Sequence, residues 1–365
     1  MIIDTHMHIF PYLGGKSGWA SAEEHVAFWQ AVIYGFARGK ASHGGGVGGF
    51  QPDINFKVGK MGRFEWTEEG QDYYFQFMPP SMQEQTAPPE FVLAQMDLAG
   101  VDMVVLHNAK AYGKLNDFFG KAVERYPDKF IGLLEIDELC ADQDGELARL
   151  RYAVKTLGLS GIYYEADRFY SPSGAGLFFD RRFDRFWREI GDLRIPVYWS
   201  LLSPRLSADV YLQRMRDFGT WAEKFPHIPS VMVMGMMALP FRQTDGAIKL
   251  PRELFDISKR TNLYHELTYP IQVGPLGWDY PFIESRELIR QQYEELGPER
   301  LVWGSDMPNV ERNCTYRQSL TYLKDYCDFI SSTDMEQILG RNAMKLHRVK
   351  SDIPKTSRPK LATVA

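Results

Sequence analysis

Eight short apolar runs punctuate the chain, at Ile2–His8, Val101–His107, Phe130–Asp137, Gly161–Ala166, Pro196–Leu201, Val231–Gly235, Leu263–Tyr269 and Leu301–Met307. Each is rich in β-branched or aromatic residues and bounded by turn formers, the pattern of strands buried on both faces of a parallel sheet. The stretches between them carry helical periodicity. A helix predicted over 89–99 opens on proline and stops before Gly100, the asymmetry expected of helix ends. Leu115, Phe118, Phe119, Ala122, Val123 and Tyr126 fall on one helical face. Thr333 and Glu336 have the spacing of a capping box opening the last helix. Eight strands alternating with helices predict an α/β fold, a (β/α)8 TIM barrel. A doubly wound sheet is the alternative, but no G-x-G-x-x-G follows the first strand.

One barrel domain is expected over 1–350, with two segments outside the repeat. Residues 9–88 separate the first strand from its helix, a far longer insertion than a βα loop usually holds. It contains a glycine run, His43-Gly-Gly-Gly-Val-Gly-Gly49, and an aromatic cluster at Phe64, Trp66, Tyr73, Tyr74, Phe75 and Phe77. A βα loop emerges at the C-terminal face of a barrel, where active sites lie. The segment therefore reads as a lid, a homodimer contact, or a loop over an aromatic mini-core. Residues 351–365 carry little apolar pattern and read as a flexible tail or a partner-docking strap.

The 42 Lys and Arg against 47 Asp and Glu leave a net charge of -5. That removes the basic field on which nucleic-acid binding depends. No uncharged apolar run approaches the roughly 20 residues of a membrane span. The opening MIIDTHMHIF has neither a basic n-region nor a small-residue cleavage site, so no signal peptide is expected. Cys140, Cys314 and Cys327 are far apart and odd in number, which implies no disulfide framework and fits a cytoplasmic enzyme.

Candidate chemistry collects at the ends of the predicted strands. In Asp4-Thr5-His6-Met7-His8 the two histidines lie two apart on a strand, so both project to one side and can chelate a divalent transition metal. Asp306, in Gly304-Ser305-Asp306-Met307-Pro308, ends the eighth strand beside the first. It is a candidate third ligand, a base for water, or a turn residue capping the next helix. Tyr163 and Glu165 alternate on the fourth strand, and Glu165 is a candidate ligand or general acid/base. His265 and Glu266 are neighbours, so only one faces the pore, and His107, ending the second strand at the mouth, is with Tyr163 a candidate for substrate contact. For a substrate carboxylate Arg242, after strand six, is the first choice, followed by Arg168 and Lys110.

With IIDTHMH at 2–8, PPEFVLAQMDLAGVDMVV at 88–105, ERYPDKFIGL at 124–133, GLSGIYY at 158–164, RIPVYWS at 194–200, ELGPERLVWGSDMP at 295–308 and ILGRNAMKLH at 338–347, the chain resembles amidohydrolase family 2. That branch includes aminocarboxymuconate-semialdehyde decarboxylase, resorcylate-type decarboxylases and pyrone-dicarboxylate lactonases. The resemblance implies a divalent metal, zinc or manganese, on His6, His8 and Asp306, and a small carboxylated substrate. It also exposes two departures. Ser200 stands where the family's fifth strand ends in a histidine ligand, and Met236 where the sixth carries another histidine. With both gone, the metal-free branch becomes an option. The expected activity is hydrolysis of a lactone or amide. The alternatives are nonoxidative decarboxylation of an aromatic or muconate-like acid, a metal-free lactonase, and a non-catalytic barrel.

Overall fold

The computed structural model describes residues 1–37, 53–171, 174, 176–237, 239–268, 276 and 279–350. The glycine run at 43–49 and the tail at 351–365 lie outside the described residues. The chain opens with strand β1 (Ile3–Met7), which leads into the inserted segment. That segment holds helix α1 (Ala22–Ala37) and a small antiparallel sheet of β2 (Lys57–Val58), β3 (Arg63–Glu68) and β4 (Gln71–Gln76). Helix α2 (Pro89–Ala99) then resumes the repeat. Strands β5 (Met103–Leu106), β6 (Phe130–Leu134), β7 (Gly161–Tyr164), β8 (Val197–Trp199), β9 (Ser230–Met232), β10 (Leu263–Leu267) and β11 (Leu301–Trp303) follow in order. Between them run α3 (Asn116–Arg125), α4 (Asp144–Lys155), α5 (Asp184–Leu193), α6 (Ala208–Lys224), α7 (Arg252–Lys259) and α8 (Arg286–Leu296).

Strand β1 and strands β5 to β11 form one parallel eight-stranded sheet in sequence order. Beyond β11 the Asp306 N–H donates to His6 O at 2.9 Å and the His8 N–H to Met307 O at 2.9 Å, so the last strand meets the first and the barrel closes. This is the (β/α)8 barrel expected from the eight apolar runs. The observed strands stop short of several of those runs, and residues just past their ends, His8, Glu165, Ser200 and Asp306 among them, line the barrel mouth.

Helix ends follow local chemistry. Pro89 opens α2, and Gly100 ends it in the left-handed region (φ 81°) with its N–H on Met96 O. The capping box expected at Thr333 is not the one formed. Ser331, two residues earlier, accepts from the Asp334 N–H and caps α10 (Ser332–Glu336), which leaves Thr333 inside the helix. A complete box is formed instead by Thr315 and Gln318, opening α9 (Tyr316–Tyr326). Between β8 and the outer helices α5 and α6, Trp199 packs on Trp187 at 5.5 Å and on Trp221 at 4.5 Å, so much of the aromatic content is core.

In the insertion, β3 alternates buried Phe64 and Trp66 with more exposed neighbours. Its hairpin closes through Glu69 (φ 52°) and Gly70 (φ 75°), the two left-handed residues of a type I′ turn. Phe64 lies 4.6 Å from the Trp29 ring of α1, and Trp29 lies 4.8 Å from Phe77. The expected aromatic mini-core exists, while Tyr73 and Tyr74 of the same cluster are exposed. Through Phe28, Trp29, Val32 and Phe77 this segment supplies one wall of a cavity at the barrel mouth.

Candidate active site

That cavity has a volume of about 410 Å³ and opens at the C-terminal ends of the strands. His6 and His8 point into it together, as their spacing on β1 requires, with their Nε2 atoms 3.2 Å apart. Asp306 joins them: its Oδ1 is 3.1 Å from His8 Nε2 and 3.5 Å from His6 Nε2. Asp306 holds a left-handed backbone conformation (φ 58°), a strain that is uncommon for a non-glycine residue and clusters at functional sites. Asn309 Nδ2, one turn on, donates to the same oxygen at 3.2 Å.

The far side of each imidazole fixes its tautomer. His6 Nδ1 lies 2.9 Å from Glu266 Oε2, and His8 Nδ1 lies 3.0 Å from the His107 carbonyl. Both acceptors hold the proton on Nδ1, which leaves two Nε2 lone pairs and a carboxylate oxygen converging on one point. Three acceptors cannot satisfy one another; they need a cation between them. This is the arrangement of metal-binding histidines oriented by outer carboxylate and carbonyl partners. The residues present fit a divalent ion with open positions left for water or substrate.

The titration behaviour reports the same demand. Burial alone would push His6 down, but the Glu266 and Asp306 carboxylates outweigh it and hold its imidazole up at about 9. His8 is pushed down by burial. For Asp306 burial is outweighed by the charge of His6 and the contact with His8, and its carboxyl stays below the usual range.

Glu266 was missed by sequence reasoning because a period of two says that His265 and Glu266 oppose each other without saying which faces in. His265 points outward and bonds Ser258 Oγ of α7 at 2.8 Å; burial pushes it down to about 3. Glu266 faces inward, where Oε2 also accepts the Met234 N–H at 2.9 Å and Oε1 accepts Thr5 Oγ1 at 3.3 Å. Asp4 ties β1 to the end of β11 by accepting the His6 N–H, the Ser305 N–H and the Tyr316 hydroxyl at 3.0, 2.9 and 3.0 Å.

The other sequence candidates are placed unevenly. Tyr163, Glu165 and Ser200 line the cavity. Met236 is buried but does not line it; Met234 and Met237 do, so the sixth-strand departure presents different methionines from the one expected. His107 lies beneath the site, stacked 4.0 Å from His6 with Nε2 on Thr5 O. Arg242 is exposed and is not among the lining residues, because it pairs across a turn with Ile248. Lys110 is bonded to Glu138 and lies 3.6 Å from Glu165, and Arg168 bonds Asp137 and Glu138 at 2.7 Å. Neither lines the cavity. The cation that does, among the described residues, is Arg312, which follows Asp306 in the same loop. Its contacts to the carbonyls of Asn309 (3.4 Å) and Gln76 (3.5 Å) are long. Asp167, Tyr112 and Asn309 are further lining residues that the strand pattern did not flag.

Residues 3–349 match the amidohydrolase family model. Among solved structures, a probable 2-pyrone-4,6-dicarboxylic acid hydrolase from Acinetobacter baumannii with citric acid bound is 16% identical, with a TM-score of 0.56 over 95% of this chain and 99% of that one. A 2,6-dihydroxybenzoate decarboxylase from Rhizobium is 17% identical, with a TM-score of 0.51 over 70% and 87%. A protein described as amidohydrolase II is 16% identical, with a TM-score of 0.51 over 95% and 100%. At these identities the likeness speaks for the fold. No curated protein matches the sequence. No helix among the described residues is long and apolar enough to cross a membrane.

Proposed function

The chain belongs to the amidohydrolase family, and from that premise we propose that it hydrolyses a small carboxylated compound of lactone or amide type. The work is done at the barrel mouth with a divalent cation, zinc or manganese, held by His6, His8 and Asp306. The observation that carries this is the convergence of His6 Nε2, His8 Nε2 and Asp306 Oδ1 while both Nδ1 protons are engaged elsewhere. When bound, the cation polarises a carbonyl oxygen and acidifies water beside it. Asp306, kept ionised by the histidines, takes the proton that attacking water releases. Arg312 at the rim pairs with the substrate carboxylate. Trp29, Phe77 and Tyr112 offer flat apolar walls to a planar ring and exclude water around it. The three free thiols suit a reducing compartment such as the cytoplasm.

A second reading, nonoxidative decarboxylation of a hydroxylated aromatic acid, is favoured by one observation: Asp167 on the cavity wall, whose carboxyl burial raises to about 7, so that a protonated acid is at hand to protonate carbon.

Metal analysis after dialysis against zinc or manganese, paired with turnover of pyrone-type lactones and hydroxybenzoates, tests both. A His6→Ala, His8→Ala double variant is expected to lose both the metal and the turnover. Wild-type protein that takes up no metal yet turns over substrate would refute the metal-dependent reading. Carbon dioxide release without lactone opening would select decarboxylation.

A further inference from the structure

The carboxyls around the mouth are nearly all engaged. Asp306 is held by His8 and Asn309, Glu266 by His6, Thr5 and the Met234 N–H, and Glu138 by Lys110, Arg168 and the Glu165 N–H. Glu165 faces Lys110 at 3.6 Å. Asp167 differs. It sits in the short turn Ala166–Tyr170 that follows β7, it is 5% exposed, and it lines the cavity. Its backbone N–H donates to Ser200 O at 3.1 Å and pins the turn, yet among the described residues no group donates a hydrogen bond to its carboxyl, which borders the cavity. Arg214 of α6, the cation that acts on it most strongly, has Nη1 on Leu201 O at 2.8 Å and its guanidinium 4.4 Å above the Tyr170 ring. A buried carboxyl without a donor is costly and rare in folded proteins. When it borders a cavity, a ligand completes it.

We infer that Asp167 is the general acid of the site, a catalytic residue that touches the substrate and gives its proton to the atom released when the bond breaks. The inference rests on the enzymatic reading above and deepens it. In hydrolysis, water adds to the carbonyl carbon as Asp306 takes its proton; the bond from carbon to the leaving oxygen or nitrogen then breaks, and that atom takes the Asp167 proton. Solvent returns one proton to Asp167 and removes one from Asp306. In decarboxylation, the bond from ring carbon to carboxylate breaks, carbon dioxide departs, and the electron pair left on carbon takes the same proton.

The surroundings suit that role. Burial, then Glu165, raise the Asp167 titration; Arg214 lowers it, Glu138 raises it and Arg168 lowers it, and the balance stands at about 7. The group is neutral in slightly acid solution and poised to donate near neutrality.

The test uses metal-loaded protein and follows kcat against pH for wild type and Asp167→Asn. The variant is expected to keep its metal, lose about 100-fold or more in kcat, and lose the alkaline limb of the profile near pH 7. Glu165→Gln is expected to keep a limb displaced to lower pH, because a repelling charge is gone. Asp167→Asn protein with wild-type kcat and an intact limb overturns the inference. A second measurement stands apart from turnover: the infrared carbonyl band of a protonated carboxyl, wild type minus Asp167→Asn. That band should be present at pH 5.5 and gone by pH 8.5. Its absence at pH 5.5 also overturns the inference, even where failure of every substrate shows that the enzymatic reading itself is wrong.

Discussion

Replacing Asp167 by asparagine removes a carboxyl whose titration is raised from 3.8 to about 7, mainly by burial, so the exchange acts on stability as well as on turnover. A raised carboxyl binds its proton more tightly in the folded chain than in the unfolded one. Its contribution is complete below the unfolded value and is lost progressively as the pH rises through about 7. Asparagine does not titrate. Asp167→Asn should therefore melt at a higher temperature than wild type at pH 8, by an amount worth at most a few kcal/mol, and its advantage should shrink at pH 5. Calorimetry at the two pH values checks this; a difference independent of pH would mean that no ionisation is involved. Residues at this scale were unevenly legible. His6, His8 and Asp306 stood out because two-residue spacing and strand ends are sequence properties. Glu266 and Asp167 did not, since orientation on a strand and lack of a donor are decided by neighbours distant in sequence.

Between elements, the residue just past β11 lies hard against β1. A Cβ built on Gly304 would lie 2.7 Å from His6 Cβ, and 3.3 Å from both the Glu266 carboxyl carbon and Thr5 Oγ1. The atom in the way belongs to the rigid root of a strand residue and cannot swing aside. Gly304→Ala should destabilise the fold by about 1–3 kcal/mol and displace His6, so metal content falls along with the melting temperature. Gly161→Ala is the contrast. Its new Cβ would meet chiefly the end of the Leu133 side chain, a methyl that can rotate, and metal content should hold. A Gly304→Ala protein that binds metal normally would show that β1 yields more easily than the packing allows. The barrel strands were legible because burial on both faces writes continuous apolar runs. The inserted hairpin was not, although Phe64 and Trp66 alternate correctly, because Glu69-Gly70 is a weak turn signal beside the usual Asn-Gly. The cap at Ser331 was missed because a nearby Thr and Glu carry the same spacing.

For the whole molecule, the chemistry and the shape of the cavity come from different parts of the chain. The barrel supplies His6, His8, Glu165, Asp167 and Asp306, while the insertion supplies Trp29 and Phe77. No sequence pattern joins these two sets; only folding sets Trp29 beside Tyr112, with ring centroids 6.4 Å apart. Phe64 isolates the contribution of the insertion, since it is fully buried, backs Trp29 and Phe77, and does not line the cavity. Phe64→Ala leaves a void behind the aromatic wall, a change that costs about 3–5 kcal/mol in a packed core. That loss falls on the small sheet and α1 rather than on the metal-bearing strands. The expected outcome is a several-fold rise in KM for planar substrates with kcat and metal content little changed, and faster amide exchange confined to 53–78. Equal losses of kcat and metal would instead mean that insertion and barrel hold the catalytic geometry jointly, and that the aromatic wall does more than bind.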